Sequence, residues 1–409
     1  MTDNPYASDI LRHLERISLR KRKSPVVLFF GRDGAFSDNS KYLYLDAVAG
    51  DYGFEPLWVT SSKAVGDLLK TRSLPVLLLD SPPKEALRVL LKAAVAVFCV
   101  NPNDAFADPH IRASLEGAFR LQLWHGVFAG LQDLQVTDVA PLFNPRLTYQ
   151  LYGAASIDAI LSPAARFDDR FAEAFGAGEL LRDGYPRNEV LFREPTGLDR
   201  LGAFGMPDEL TAGKSRNVLY CPSHTRVGGP VWREGWLLDR LREAHEKSGA
   251  TIFIKPHPFE AAIAPVSRTL APGLHLIAAL DDIYPSLRQF DLLISDYSSL
   301  MDDFHLTGKP MLVLQTPQTE KVRQQLLLAD LHYRELAPVV TADDLPAAIE
   351  TALSNTSPQP ASGIYTEDHH GSAGRLNRYI AGEVRRGCAV RYRATGLNDR
   401  KPDPGENPS

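Results

Sequence analysis

The chain has too few cysteines, and too widely spaced, to build a disulfide framework: three in 409 residues, Cys99, Cys221 and Cys388. An odd, scattered set suits a reducing compartment, so a cytoplasmic protein is expected. No secretory leader is read at the amino terminus, and no apolar run approaches the roughly 20 residues that a membrane span needs. Charge of one sign is also missing. The 45 Lys+Arg against 50 Asp+Glu leave a net charge of −5, with no global pull toward nucleic acid. There is no C-x-x-C, H-x-H or D-x-D arrangement, so no structural metal is expected. There is no G-x-S-x-G elbow and no cysteine adjoining a histidine, which argues against a covalent nucleophile.

What is present is an ordinary globular composition, 44% hydrophobic and 23% charged, on a chain long enough for two cores. Short apolar runs alternate with helical patterning: 26–30, 57–60, 76–79, 95–100, 121–124, 157–162 and 180–184. After a Gly-, Pro- and polar-rich stretch at 196–215 the rhythm resumes at 218–220, 252–254, 292–294, 311–314 and near 339–340. Helices are expected at 232–247, 320–329 and 342–353. Continuous apolar strands separated by helices imply parallel sheets covered on both faces. The reading is an α/β chain of two doubly wound Rossmann-like domains, 25–200 and 210–390, facing a cleft. Residues 397–409, rich in Pro, Asn and charge, read as a disordered tail.

Residues 8–23 form an amphipathic pattern, with Ile10, Leu11, Leu14 and Ile17 on one face and Arg20-Lys21-Arg22-Lys23 at the end. Within the 1–24 segment two readings stand side by side: a helix on an anionic membrane surface, or one docked on the first domain.

The chemistry concentrates where strands end, which is where open parallel sheets bind ligands. Leu292-Leu293-Ile294 runs into Asp296-Tyr297-Ser298-Ser299, with helical spacing behind it and Gly308 as a stop. Hydroxyls and N–H groups at such a helix start suit a phosphate, and a plain helix cap is the competing reading. Trp124-His125-Gly126 places an imidazole at another strand end. In Lys255-Pro256-His257-Pro258 two prolines fix the backbone around a cation and an imidazole. Cys221-Pro222-Ser223-His224-Thr225-Arg226 ends a further strand with an arginine suited to a diphosphate. Gly184-Tyr185-Pro186-Arg187-Asn188 reads as a strand-to-helix bend, with Asn188 structural and Arg187 open.

Taken in order, the WHG, GYPRN, KPHP and SDYSS stretches, with DDF and GKP following, resemble the CDP-glycerol glycerophosphotransferase family. These are GT-B enzymes that build glycerol- and ribitol-phosphate polymers such as teichoic acids. The segment Phe36-Ser37-Asp38-Asn39-Ser40-Lys41-Tyr42 is similar to the family's entry motif. The resemblance spans 26–379. It departs after Gly126, where Val127-Phe128-Ala129-Gly130-Leu131 replaces a run that ends in lysine. It implies a cytoplasmic transferase, held peripherally at the inner membrane face in one reading, that takes a CDP-activated alcohol to a polymer or lipid-linked acceptor and releases CMP. It further implies His125 as base and His257 as second donor or acid. Arg226, Lys255, Ser298, Ser299, Asp296 and Arg375 are then the substrate-binding set. No cofactor is implied, and a Mg²⁺ carried by the nucleotide is left open. A sugar-nucleotide glycosyltransferase of the same fold is the alternative, because fold alone does not decide chemistry.

Overall fold

The computed structural model describes residues 5–79, 83–100, 105–106, 108–126, 157–175, 177–207, 216–223, 229–322, 327–355 and 364–389. Two seven-stranded sheets carry them. The first uses β1 (Ser24–Phe30), β2 (Glu55–Thr60), β3 (Val76–Leu78), β4 (Ala93–Phe98), β5 (Phe119–Gln122), β6 (Ala159–Ser162) and β7 (Glu179–Arg182). Its order is β3-β2-β1-β4-β5-β6-β7, parallel throughout, so the order reverses direction beside β1. The uninterrupted burial of β4 on both faces explains its unbroken apolar run.

The second sheet uses β8 (Asn217–Cys221), β9 (Thr251–Ile254), β10 (Arg268–Ala271), β11 (Leu274–Leu276), β12 (Leu292–Ser295), β13 (Met311–Gln315) and β14 (Val339–Thr341). The order is β10-β11-β9-β8-β12-β13-β14, with only the edge strand β10 antiparallel. The β10–β11 hairpin is an addition to the strands read from sequence. The expected helix at 320–329 instead appears as Pro317–Val322 and Leu327–Leu336.

One boundary differs from the sequence reading. The helix Ser372–Ala389, expected within the second domain, returns to the first, where Ala373, Leu376, Ile380 and Val384 join the core of β1 and β4. Burying Leu376, Ile380 and Val384 contributes roughly 5–9 kcal/mol before chain entropy, enough to decide where the helix docks. The interdomain stretch is packed against both domains in its described part. Leu201, Phe204 and Met206 are buried, and the Phe204 N–H donates to the Asp282 carbonyl at 2.9 Å. The Pro/Asn-rich tail lies outside the described residues.

The amino-terminal helix Pro5–Arg20 is docked on the first domain. The buried Ser18 hydroxyl donates to the Ser114 carbonyl at 2.6 Å and accepts from the Gly117 N–H at 2.9 Å. A side chain at Gly117 would run into the Ser18 carbonyl, 2.2 Å from where its Cβ would stand. Lys23, read as part of a basic run, is buried and donates to the Leu91 carbonyl at 3.0 Å. Arg16, Arg20, Lys21 and Arg22 stay exposed.

Candidate active site

A cavity of about 190 Å³ opens between the two domains. His125, Lys255, His257, Ser298 and Ser299 all line it.

His125 reaches it through an unusual exit from β5. Trp124 adopts φ 56, left-handed backbone that costs a bulky residue on the order of 1–3 kcal/mol. Two side-chain hydrogen bonds hold it there. The Trp124 N–H donates to Gln122 Oε1 at 3.0 Å, and Asn39 Nδ2 donates to the Trp124 carbonyl at 2.8 Å. His125 Nδ1 lies 3.1 Å from the Cys99 carbonyl. A carbonyl only accepts, so the ring proton sits on Nδ1 and Nε2 keeps its lone pair. Burial, and then the charges of Arg32 and Arg187, pull the pKa well below 6.5. The ring is therefore neutral and proton-accepting at neutral pH.

His257 has the opposite tautomer. Its Nδ1 accepts from the Phe259 N–H at 3.2 Å, so in the neutral ring the proton is on Nε2. Lys255 is buried beside it, donating to the Ala279 carbonyl at 2.6 Å and the Pro256 carbonyl at 3.4 Å. Burial lowers its pKa, so an anion in the cavity would favour its charged form. Ser298 Oγ accepts from the Leu300 N–H at 3.3 Å, and Ser299 Oγ donates to the His125 carbonyl at 3.5 Å. The helix behind them, Leu300–His305, is only six residues long.

The other expected ligands stand elsewhere. Asp296 is buried and accepts from the N–H groups of Ser223 at 2.9 Å and Tyr297 at 2.6 Å. It ties the ends of β8 and β12 together, which seats the serines without touching the cavity. Arg375 forms a double contact with Asp183, with Nη2 at 2.6 Å and Nε at 3.0 Å from its oxygens. It also donates to the carbonyls of His370 and Asp368, so it fastens the returning helix rather than a nucleotide. Arg226 lies outside the described residues, as does the departure after Gly126.

Sequence reasoning missed part of the wall. Arg32 lines the cavity, with its guanidinium 4.7 Å from the Phe259 ring centroid across the cleft. Nothing in the sequence marked it for that role. Arg187, left open, sits between the domains: it donates to Asp38 at 2.6 Å, to the His125 carbonyl at 2.9 Å and to Asp303 at 2.7 Å. Cys221 on the wall and Cys99 behind His125 are no nucleophiles, because burial pushes both thiols up to about 12. Among the described residues no three His, Cys, Asp or Glu gather as a metal site.

The model of the CDP-glycerol:poly(glycerophosphate) glycerophosphotransferase family matches residues 13–361. The chain belongs to that family. Among curated proteins it is similar to the teichoic acid ribitol-phosphate polymerases TarK and TarL of Staphylococcus aureus (strain NCTC 8325 / PS 47). Each is 32% identical, over 203 and 201 residues, which is 47% of this chain in both cases. The matched part spans only 38% of TarK and 34% of TarL. Among solved structures the wall teichoic acid polymerase TagF superposes with a TM-score of 0.63 at 16% identity, covering 93% of this chain and 96% of the other. That likeness shows the fold, GT-B with two Rossmann-like domains. In this family member the WHG, KPHP and SDYSS stretches all reach the same cavity.

Proposed function

We propose that the protein transfers glycerol phosphate or ribitol phosphate from a CDP-activated alcohol to a hydroxyl of a cell-surface polymer or its lipid-linked precursor. The observation that carries this reading is the pair of histidines of opposite tautomer that line one interdomain cavity with Lys255 and the serine pair. The acceptor hydroxyl loses its proton to His125 Nε2 as its oxygen attacks the phosphorus that bears the alcohol. The phosphorus–oxygen bond to CMP breaks, and His257 Nε2–H donates to the departing phosphate. Lys255, the serine hydroxyls and Arg32 neutralise charge on the diphosphate, where such transfers need most of their help. Arg226 is kept as a diphosphate ligand. The reaction balances without a resident cofactor.

The reading places the enzyme in the cytoplasm against the inner membrane face. One feature supports it: the amino-terminal helix shows exposed arginines and an Ile10 that is 53% exposed. The test is a donor panel of CDP-glycerol, CDP-ribitol and UDP-sugars, with released nucleotide quantified and the product weighed by mass spectrometry. CMP release with a mass gain of one alcohol phosphate is expected. UDP release would transfer the protein to the glycosyltransferases.

A further inference from the structure

The catalytic base is not built by its own domain alone. The His125 carbonyl accepts from Arg187 Nη2 at 2.9 Å, and the same guanidinium donates to Asp303 Oδ2 at 2.7 Å. Asp303 belongs to the second domain, is fully buried, and is absent from the cavity wall. Its two oxygens collect four donors. Oδ2 takes Arg187 and the Tyr284 hydroxyl at 2.5 Å, and Oδ1 takes Asn188 Nδ2 at 2.8 Å and the Tyr365 hydroxyl at 2.5 Å. Arg187 is further held between the rings of Tyr185 and Tyr284, each 4.9 Å away. A carboxylate this well satisfied is a rigid anchor. The segment it steadies needs one, because Trp124 before the base is left-handed and is held by side-chain hydrogen bonds from Gln122 and Asn39.

We infer that Asp303 is a positioning residue for the base: through Arg187 it sets His125 only when the second domain is seated. The proposal rests on His125 acting as the base of the transfer. It explains why two arginine-facing carboxylates exist, with Asp38 holding Arg187 within the first domain and Asp303 reporting the presence of the second. The charged or titratable groups acting on His125 are Arg32, Arg187 and His257, with Asp38 and Asp303 acting through Arg187.

The test compares Asp303→Asn, Arg187→Gln and the double variant in CMP release from saturating CDP-glycerol or CDP-ribitol. Each single variant is expected to lose about 10²-fold in kcat with KM for the donor nearly unchanged, as misplacing a base does. The double variant should be no slower than the worse single one. Losses that multiply, or a loss confined to KM, overturn the proposal. Tyr365→Phe removes one hydroxyl from Asp303 and guards against a misfolded Asp303→Asn. It should lose several-fold in kcat, and wild-type turnover here counts against the idea. A second readout needs no substrate: the imidazole NMR signals of His125, assigned with His125→Ala. They should shift in Asp303→Asn or, if that fails to fold, in Tyr365→Phe. Unchanged signals in a folded variant refute the positioning, whereas shifted signals without CMP release from the wild type refute the transferase reading alone.

Discussion

Replacing Lys41 by methionine removes the one cation in a wholly buried ion pair between the domains. Lys41 Nζ is 2.8 Å from Asp282 Oδ2, with the side chains 0% and 1% exposed. The ammonium also donates to the carbonyls of Asp199 at 2.6 Å and Leu201 at 2.8 Å, so its three protons join the first domain, the interdomain stretch and the second domain. Removing one partner of such a pair costs about 3–5 kcal/mol, because the other charge stays buried. Asp282 keeps the Tyr42 hydroxyl at 2.7 Å and the Tyr284 N–H at 3.0 Å, which places the loss toward the lower figure. At roughly 2–4 °C per kcal/mol the midpoint should fall on the order of 10 °C. Urea titration and thermal melts measure it. Lys41→Met/Asp282→Leu should recover part of the loss, since no lone charge remains. Recovery stays incomplete because Tyr42 and the two carbonyls lose partners. A Lys41→Met variant within about 1 kcal/mol of wild type would falsify the view that this pair fastens the two domains.

His125→Ala should lose about 10²–10⁴-fold in turnover while still binding the CDP-alcohol, measured by calorimetry beside rate assays. His257→Ala and Ser298→Ala should weaken nucleotide affinity as well as rate. Because the His125 pKa is pulled well below 6.5, its base form persists on mild acidification, and kcat/KM should stay level from neutral pH past about pH 6. Arg32→Gln removes one of the cations responsible, so its acid limb should move to higher pH; an unmoved limb would refute that coupling. Buried His369 has its pKa lowered from 6.5 to about 4, with Nδ1 accepting from the Tyr185 N–H at 2.8 Å. Its contribution is complete above the unfolded value and fades as acid protonates the unfolded chain first. Wild type should lose about 2 kcal/mol more than His369→Asn between about pH 7 and pH 5, read by denaturant titration. Arg16→Glu/Arg20→Glu, which keeps the buried Ser18 in place, should abolish flotation with anionic vesicles and leave soluble turnover; unchanged flotation would dispose of the membrane role.

The sheets were legible because a strand buried on both faces reads as an unbroken apolar run. The stretch 292–294 becomes β12, Leu292–Ser295, with a margin of one residue. The β10–β11 hairpin escaped because an edge pair of four and three residues, with Arg268 and Thr269 exposed, has no such run. The helix Ser372–Ala389 shows its apolar stripe in the sequence, yet nothing local says which sheet the stripe covers. Only packing decides that, and Leu376 and Ile380 fit the first core.

For the site, the residues at strand ends were the readable part, since the topology alone carries them to the cleft. Whether a polar residue there is offered to a ligand or consumed by the protein depends on partners far along the chain. Arg375 meets Asp183 across 192 positions, and Asp296 meets the Ser223 N–H across 73. The Asp302-Asp303 pair makes the same point. Successive residues on a helix face different ways, so Asp302 takes His332 at 2.7 Å and Tyr333 at 3.0 Å within its own domain. Asp303, one step on, takes Arg187 from the other domain, 116 positions away. One acid therefore braces the second domain's interior and its neighbour joins that domain to the base. Identical letters side by side carry no sign of that division, because it is written in the fold of the opposite domain.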